Sequence, residues 1–208
     1  MPDIRVEINQ QQMDDLKTRL AEIKNGVPIA LSRAINKTAT STKTDMVFMA
    51  RELYNYAATP LRDRIIIHRA TYSKLSAKTV SSGQPVHLTD MLGTRQTSTG
   101  VSVNVEKATG SHILKAWIGP AKHSRTGANL KDIVYARTSS RGPTGSRRYL
   151  PASRYPIKAL HAPHPEIVYN QEKVWKSIQY LVDFSLEKHL NHEVDAIILK
   201  YAPTDEGL

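Results

Sequence analysis

One stretch decides the fold of this chain: residues 28–53 read PIALSRAINKTATSTKTDMVFMAREL. Apolar and small residues recur there every three or four positions, which is the spacing of one face of an α-helix. The pattern predicts a helix of about six turns, opened by Pro28, whose missing N–H costs no hydrogen bond in a first turn. The centre of the face is small and polar, so we expect it to pack closely on another helix or on a partner chain. The face consists of Leu31, Ile35, Thr38, Thr42, Met46, Met49 and Leu53.

Amphipathic helices are predicted on both sides of this stretch. Upstream, an apolar stripe begins at Met13 and stops before Asn25, a residue that can adopt the left-handed conformation found at helix ends. Downstream, a second stripe runs from about Tyr169 through some eight turns to Pro203, which cannot continue a helix. The downstream stripe includes Ile178, Val182 and Leu186.

Between these helices the periodicity changes to two, the spacing of a half-buried strand. Strands are predicted at Ile65–Ala70, Lys78–Ser81, Val101–Val105, Ser111–Ile118, Asp132–Arg137 and Pro156–Leu160, with a short one before the helices at Ile4–Ile8. The expected fold class is therefore α+β, with long N-terminal and C-terminal helices packed on a small, mostly antiparallel β-sheet that carries long basic loops.

The same pattern predicts one α+β domain over residues 1–202, followed by a short tail at 203–208. Its parts are a helical arm (1–58), a β-rich core with basic loops (59–165) and a C-terminal helix (166–202).

Composition limits the function classes. The chain has 208 residues and no cysteine, which excludes disulfides, thiolate nucleophiles and iron–sulfur ligation. The longest apolar run is the three isoleucines 65–67, so no membrane span is expected, and the first residues contain no apolar leader. We therefore expect a protein made in the host cytoplasm, with no membrane association.

Positive charge is concentrated in residues 107–158. That segment holds eleven Lys and Arg residues and a single acidic residue, Asp132. Its net charge is therefore +10, the same as the net charge of the whole chain. Such a segment suits a phosphate backbone, an acidic protein neighbour or simply a solvated face. Aromatic residues in it are widely spaced, which favours non-specific electrostatics over base reading. The candidate partner-facing residues, in two basic loops and beside them, are Lys122, Arg125, Lys131, Arg137, Arg141, Arg147, Arg148 and Arg154.

Catalytic and metal-binding patterns are absent from the sequence. His161 and His164 stand three residues apart near Glu166, but prolines interrupt the segment, so it lacks the helical face of a zinc motif. No Gly-x-Ser-x-Gly elbow and no phosphate-cradling loop is present. We expect no enzyme activity, no cofactor and no metal. A hydrolase built on the two histidines is the least favoured alternative.

The ordered segments resemble the minor tail protein Z family of tailed bacteriophages and prophages over about residues 20–200. The matching segments are Ala34–Ala39, Leu61–Arg64, Gly100–Val103, Lys115–Ile118, Ile133–Arg137 and Pro156–Leu160, followed by a proline-bracketed turn and a terminal helix. The turn reads Ala162-Pro163-His164-Pro165, where the family commonly has Pro-Ser-x-Pro, so that motif is only partly matched.

This resemblance implies a structural virion protein that completes the tail or neck for joining to the DNA-filled head. It implies a closed ring of identical subunits, six by analogy with tail symmetry, next to the tail terminator and the head-completion ring. Genomic DNA in the channel would be a further partner, and the location would be the virion tail or neck. Catalytic residues are not part of the family pattern. The alternative is a non-specific nucleic-acid-binding protein that uses residues 107–158.

A ring requires head-to-tail contacts between subunits, and helices with narrow apolar faces suit such contacts. The candidate subunit interface consists of Leu31, Ile35, Thr38, Thr42, Met46, Met49, Leu53, Ile178, Val182 and Leu186.

Overall fold

The computed structural model describes residues 3–6, 8, 10–21, 23, 25–83, 85–107, 109–122, 129–137 and 157–201. Within these residues the chain forms five α-helices and three antiparallel sheets. The predicted α+β class is confirmed. The helices are α1 (Gln10–Arg19), α2 (Gly26–Leu53), α3 (Ala58–Asp63), α4 (Pro165–Tyr169) and α5 (Glu172–Tyr201).

Ten strands are present in the described part of the chain. They are β1 (Asp3–Val6), β2 (Ile65–His68), β3 (Ala77–Ser81), β4 (Val86–His87), β5 (Arg95–Gln96), β6 (Gly100–Glu106), β7 (Thr109–Leu114), β8 (Ala116–Lys122), β9 (Asn129–Arg137) and β10 (Ile157–Ala162). The strand orders of the three sheets are β1-β3-β2, β5-β6-β7 and β4-β10-β9-β8.

The chain divides into two compact units. The first contains Met1–Met49, Arg62–Gly83 and Glu166–Leu208, and the second contains Ala50–Leu61 and Gln84–Pro165. Each unit therefore combines residues from more than one of the parts expected from the sequence, which were the helical arm, the β-rich core and the C-terminal helix. The single domain over residues 1–202 stays a prediction.

The first unit has a helical core. One buried cluster combines residues of α1, α2 and α5 with the residue that follows α1: Leu16, Leu20, Ala30, Leu31, Ala34, Leu190, Val194 and Ile197. The sheet β1-β3-β2 belongs to the same unit, and Ile4 and Val6 of β1 are buried on either side of the exposed Arg5. Asn25, at φ 59°, separates the α1 segment from α2, as the sequence predicted.

The second unit contains the other two sheets, and here one strand prediction is wrong. Ser111–Ile118 is not one strand, because β7 ends at Leu114 and β8 begins at Ala116 in a different sheet. Lys115 lies between them at φ 58°, and its N–H donates to the Thr99 carbonyl at 3.0 Å. A left-handed residue redirects the chain, so Leu114 is exposed whereas Ala116 is buried.

Candidate functional site

The basic segment contributes β7 to the β5-β6-β7 sheet, and β8, β9 and the start of β10 to the β4-β10-β9-β8 sheet. Lys122 is the last residue of β8, and Lys131 and Arg137 lie in β9. Lys115 and Lys158 are exposed. Five of the eight candidate partner-facing residues lie outside the described residues: Arg125, Arg141, Arg147, Arg148 and Arg154.

The two basic connections leave this sheet from opposite ends. Lys122 is paired with Asn129, so residues 123–128 connect β8 and β9 at one end. Ile157 is paired with Arg137, so residues 138–156 connect β9 and β10 at the other. These two ends of β9 are about 27 Å apart, since a strand rises about 3.4 Å per residue. The positive charge is therefore attached at two separate places on the sheet.

An aromatic pair lies between these two ends. Trp117 of β8 is directly opposite Tyr135 of β9, and their rings stack with centroids 5.9 Å apart. Strand alternation places His161 and His87 on the same face, where their rings are 5.5 Å apart. Trp117 and Tyr135 are half-buried, whereas Val134 on the opposite face is fully buried. The sequence separates the aromatic residues widely, and only the strand register brings them together.

Most of the predicted subunit-interface residues belong to the interior of the chain itself. Eight of them are buried: Leu31, Ile35, Thr38, Thr42, Met46, Ile178, Val182 and Leu186. Met49 is half-buried, and Leu53 is exposed. A side chain that its own chain already covers has no surface to offer a second subunit. These eight side chains are therefore covered by their own chain, and their assignment to a subunit interface stays a prediction.

The small polar centre of the α2 face explains how the chain itself covers this face. The Thr38 hydroxyl is 3.2 Å from Nδ1 of His189 on α5, and the Thr42 hydroxyl donates to the Thr38 carbonyl at 2.9 Å. The Tyr169 hydroxyl donates to the Met46 carbonyl at 3.2 Å. Short side chains allow other parts of the same unit to approach α2, and these bonds satisfy the polar groups that burial would otherwise leave unpaired.

Other hydrophobic residues on the same helices remain exposed. Phe48 on α2 is 60 % exposed, and Tyr180 and Phe184 on α5 are 71 % and 59 % exposed. Tyr180 and Phe184 are one turn apart, so they lie on one face of α5. Sequence reasoning overlooked them because they fall outside the longer stripe that was selected as apolar. Their four-residue spacing was the available signal.

A basic groove, also missed from the sequence, lies in the first unit. We define it by Arg33, Lys37 and Ser41 of α2, Arg69 after β2, and Glu193 of α5. Arg33 and Lys37 are one turn apart on α2, which the sequence shows, but the positions of Arg69 and Glu193 beside them depend on the tertiary fold.

No family model, curated protein or solved structure matches this chain. The resemblance to the minor tail protein Z family therefore remains a prediction.

Titratable groups with shifted pKa values have structural explanations. Burial, and then the neighbouring Tyr54, raises the pKa of Tyr56, whose hydroxyl donates to the Pro163 carbonyl at 2.9 Å. Burial also raises the pKa of Asp45. In the part of the chain that the structure describes, no three His, Asp or Glu residues are grouped so that they could hold a metal ion. Among the described helices, none combines the length and apolarity that a bilayer crossing needs.

Proposed function

We propose that this protein is a non-catalytic structural component of a bacteriophage tail or neck. In this proposal, identical subunits form a ring at the head-proximal end of the tail and complete it for head–tail joining and DNA passage. The ring contains six copies by analogy with tail symmetry, and it contacts the tail terminator on one side and the head-completion ring on the other. The order of the sequence segments supports the resemblance to the minor tail protein Z family. The places where the basic connections join the β4-β10-β9-β8 sheet support the structural role.

The observation that carries this proposal is the attachment of the basic connections at opposite ends of one sheet. Strand ends about 27 Å apart suit contacts with two different neighbours better than contact with one ligand. A subunit stacked between two other rings needs two such separate contacts. Acidic rims on those neighbours would complement the positive segment and select the correct orientation.

Contacts between subunits must use side chains that the chain leaves exposed. Tyr180 and Phe184 on α5, together with Phe48 on α2, replace the buried stripe as candidates. Large aromatic residues of this kind commonly dominate the binding free energy of protein interfaces.

Electron microscopy of intact particles, combined with light scattering of the purified chain, tests this role. We expect density for a closed ring at the head-proximal end of the tail, and binding of the purified chain to isolated tails. The double variant Tyr180→Ser/Phe184→Ser should weaken ring formation, whereas Gln179→Ser, an exposed change on the same helix, should not. A chain that stays monomeric and does not bind tails would contradict the proposal.

Nucleic-acid binding is the second candidate, and the stacked Trp117 and Tyr135 favour it. Aromatic side chains on a partly exposed sheet can stack on bases, and nearby cations can neutralise phosphates. Duplex affinity should then fall steeply with salt, and Arg141→Gln/Arg147→Gln/Arg148→Gln should lower the log–log salt slope by about two to three.

A matched control for that triple variant is Lys173→Gln/Lys176→Gln/Lys200→Gln, which removes the same charge from exposed positions on α5. Trp117→Leu should weaken single-stranded DNA binding more than duplex binding, because only unpaired bases offer their faces for stacking. Equal DNA retention by the arginine triple variant and the unmodified chain would eliminate this candidate.

A further inference from the structure

The basic groove has a volume of about 620 Å³ and lies wholly within the first unit. It is separate in sequence from the basic segment at residues 107–158. Arg33 and Lys37 contribute cations from α2, and Arg69 contributes a third from the segment after β2. Ser41 also lines the groove. Three cations from two chain segments therefore converge on one concave surface.

A single buried carboxylate holds two of these cations. Glu193 is only 5 % exposed, and its carboxylate contacts the Lys37 ammonium and lies 3.9 Å from the Arg33 guanidinium. Among the described residues, no carboxylate lies within ion-pair distance of Arg69. Glu193 thus orients two cations but balances only one of three positive charges. The groove keeps an excess of two.

His189 also lines the groove. Burial, and then the neighbouring Lys37, lowers the pKa of His189 below its usual value, which favours the uncharged ring.

The position of Arg69 is fixed by its neighbours in the chain. The Asn36 side chain makes two hydrogen bonds to the backbone of Ala70, which ties the residue after Arg69 to α2. The next residues form a tight turn, in which Thr71 and Lys74 exchange backbone hydrogen bonds of 2.9 and 3.1 Å. A segment held in this way can present a guanidinium without first paying the entropy of ordering a loop.

We infer that this groove binds a phosphate group in its dianionic form, with Arg33, Lys37 and Arg69 as the binding residues and Glu193 as a positioning residue. A phosphate monoester carries close to two negative charges at neutral pH, which matches the excess of two. Guanidinium groups pair well with phosphate oxygens, and the Ser41 hydroxyl supplies a further donor. A single carboxylate would leave one cation unbalanced. This inference does not depend on the proposed tail function.

Calorimetric titration of the full chain with inorganic phosphate at constant ionic strength tests the site. We expect one bound phosphate per chain, with affinity lowered about tenfold or more in Arg69→Gln and Lys37→Gln. Arg62→Gln and Lys173→Gln remove the same charges from exposed positions outside the groove and should change the affinity less than twofold. Lys37→Arg keeps the charge beside Glu193 and should retain binding, which separates loss of the site from loss of folding.

Two oligonucleotides distinguish the possible sources of the phosphate. A 5′-phosphorylated 12-mer that displaces inorganic phosphate better than its 5′-hydroxyl counterpart identifies a nucleic-acid end as the source. Equal weakness of both oligonucleotides, with inorganic phosphate still bound, identifies a small phosphate compound. Absence of saturable phosphate binding would overturn the inference. Equal losses in the groove and control variants, or displacement by poly-glutamate as effective as that by phosphate, would overturn it as well.

Discussion

The Asn36 side chain holds the backbone of Ala70 by two hydrogen bonds: its Nδ2 donates to the Ala70 carbonyl at 3.0 Å, and its Oδ1 accepts the Ala70 N–H at 2.8 Å. This pair joins the middle of α2 to the chain just after β2, across 34 residues of sequence. An amide side chain is suited to this task because it carries a donor and an acceptor together. These two hydrogen bonds hold the segment that carries Arg69 against α2 within the first unit.

Replacing Asn36 therefore tests how strongly this connection stabilises the fold. Asn36→Ala should lower the free energy of unfolding by about 1–3 kcal/mol, because it leaves the Ala70 N–H and carbonyl without their partner. Urea unfolding monitored by circular dichroism measures this change. Gln179→Ala, an exposed helical substitution on α5, should stay within about 0.5 kcal/mol of the unmodified chain. Equal losses in the two variants would show that the pair contributes little.

The burial of the α2 face gives a second prediction. Ile35→Ala should lower the free energy of unfolding by about 2–5 kcal/mol, because Ile35 is fully buried and its truncation leaves a cavity. Phe48→Ala on the same helix should change it by only about 0.5 kcal/mol, because that ring is largely exposed. Urea unfolding at several protein concentrations measures both changes in the free energy of unfolding.

Concentration independence of the Ile35→Ala loss is part of the same prediction. Truncation of a residue that is buried within one chain destabilises every copy equally. Truncation of a subunit-interface residue has an effect that depends on assembly, and so on protein concentration. An Ile35→Ala loss that appears only at assembling concentrations would instead support the predicted role of Ile35 in a subunit interface.

Local periodicity was sufficient to predict the long helices. The three- and four-residue spacing in α2 and α5 persists over many turns, so the two helices were predicted nearly to their observed ends. The partner of the α2 face could not be read in the same way. Thr38 and Thr42 leave open whether a helix of the same chain or of a second chain packs there, and the structure places His189 of α5 beside Thr38.

Features set by non-local pairing or by unusual backbone geometry were not predictable. The contact of Trp117 with Tyr135 depends on the register of β8 and β9, which local alternation does not specify. The break between β7 and β8 at Lys115 was not predictable either, because glycine and asparagine, rather than lysine, are the usual residues at positive φ. Arg69 and Glu193 enter the basic groove only through the tertiary fold.

The left-handed backbone at Lys115 gives a third prediction. Lys115→Val should lower the free energy of unfolding by about 1–2 kcal/mol, although valine is a good strand former, because a β-branched residue is strained at φ 58°. Lys115→Gly should be less destabilising than Lys115→Val, since glycine adopts positive φ without strain. Chemical denaturation of the two variants provides the comparison.

Ser111→Val in β7 is the matched control for this experiment, because Ser111 is exposed in an extended strand. It should be neutral or slightly stabilising. If Lys115→Val behaved like Ser111→Val, residues 109–122 would form one continuous strand after all.

The lowered pKa of His189 gives a fourth prediction, concerning pH. Burial is the main cause, and Lys37, Lys188 and His192 add to it, while Glu193 opposes them. Because the folded-state pKa lies below the unfolded value, the unfolded chain binds more protons between the two values. The stability contributed by the lowered pKa of His189 is therefore fully present above the unfolded pKa of about 6.5. It is lost as the pH drops toward the folded value.

His189→Gln should flatten this dependence, because a glutamine keeps polar atoms near Thr38 but does not titrate. The free energy of unfolding, measured in urea from pH 8 to pH 5, should fall less steeply in this variant than in the unmodified chain. Gln179→Ala, an exposed change on α5 that removes no titratable group, should leave the slope as it is. A slope that is identical in all three proteins would mean that His189 titrates equally in the folded and unfolded states, and that its burial does not favour the neutral ring.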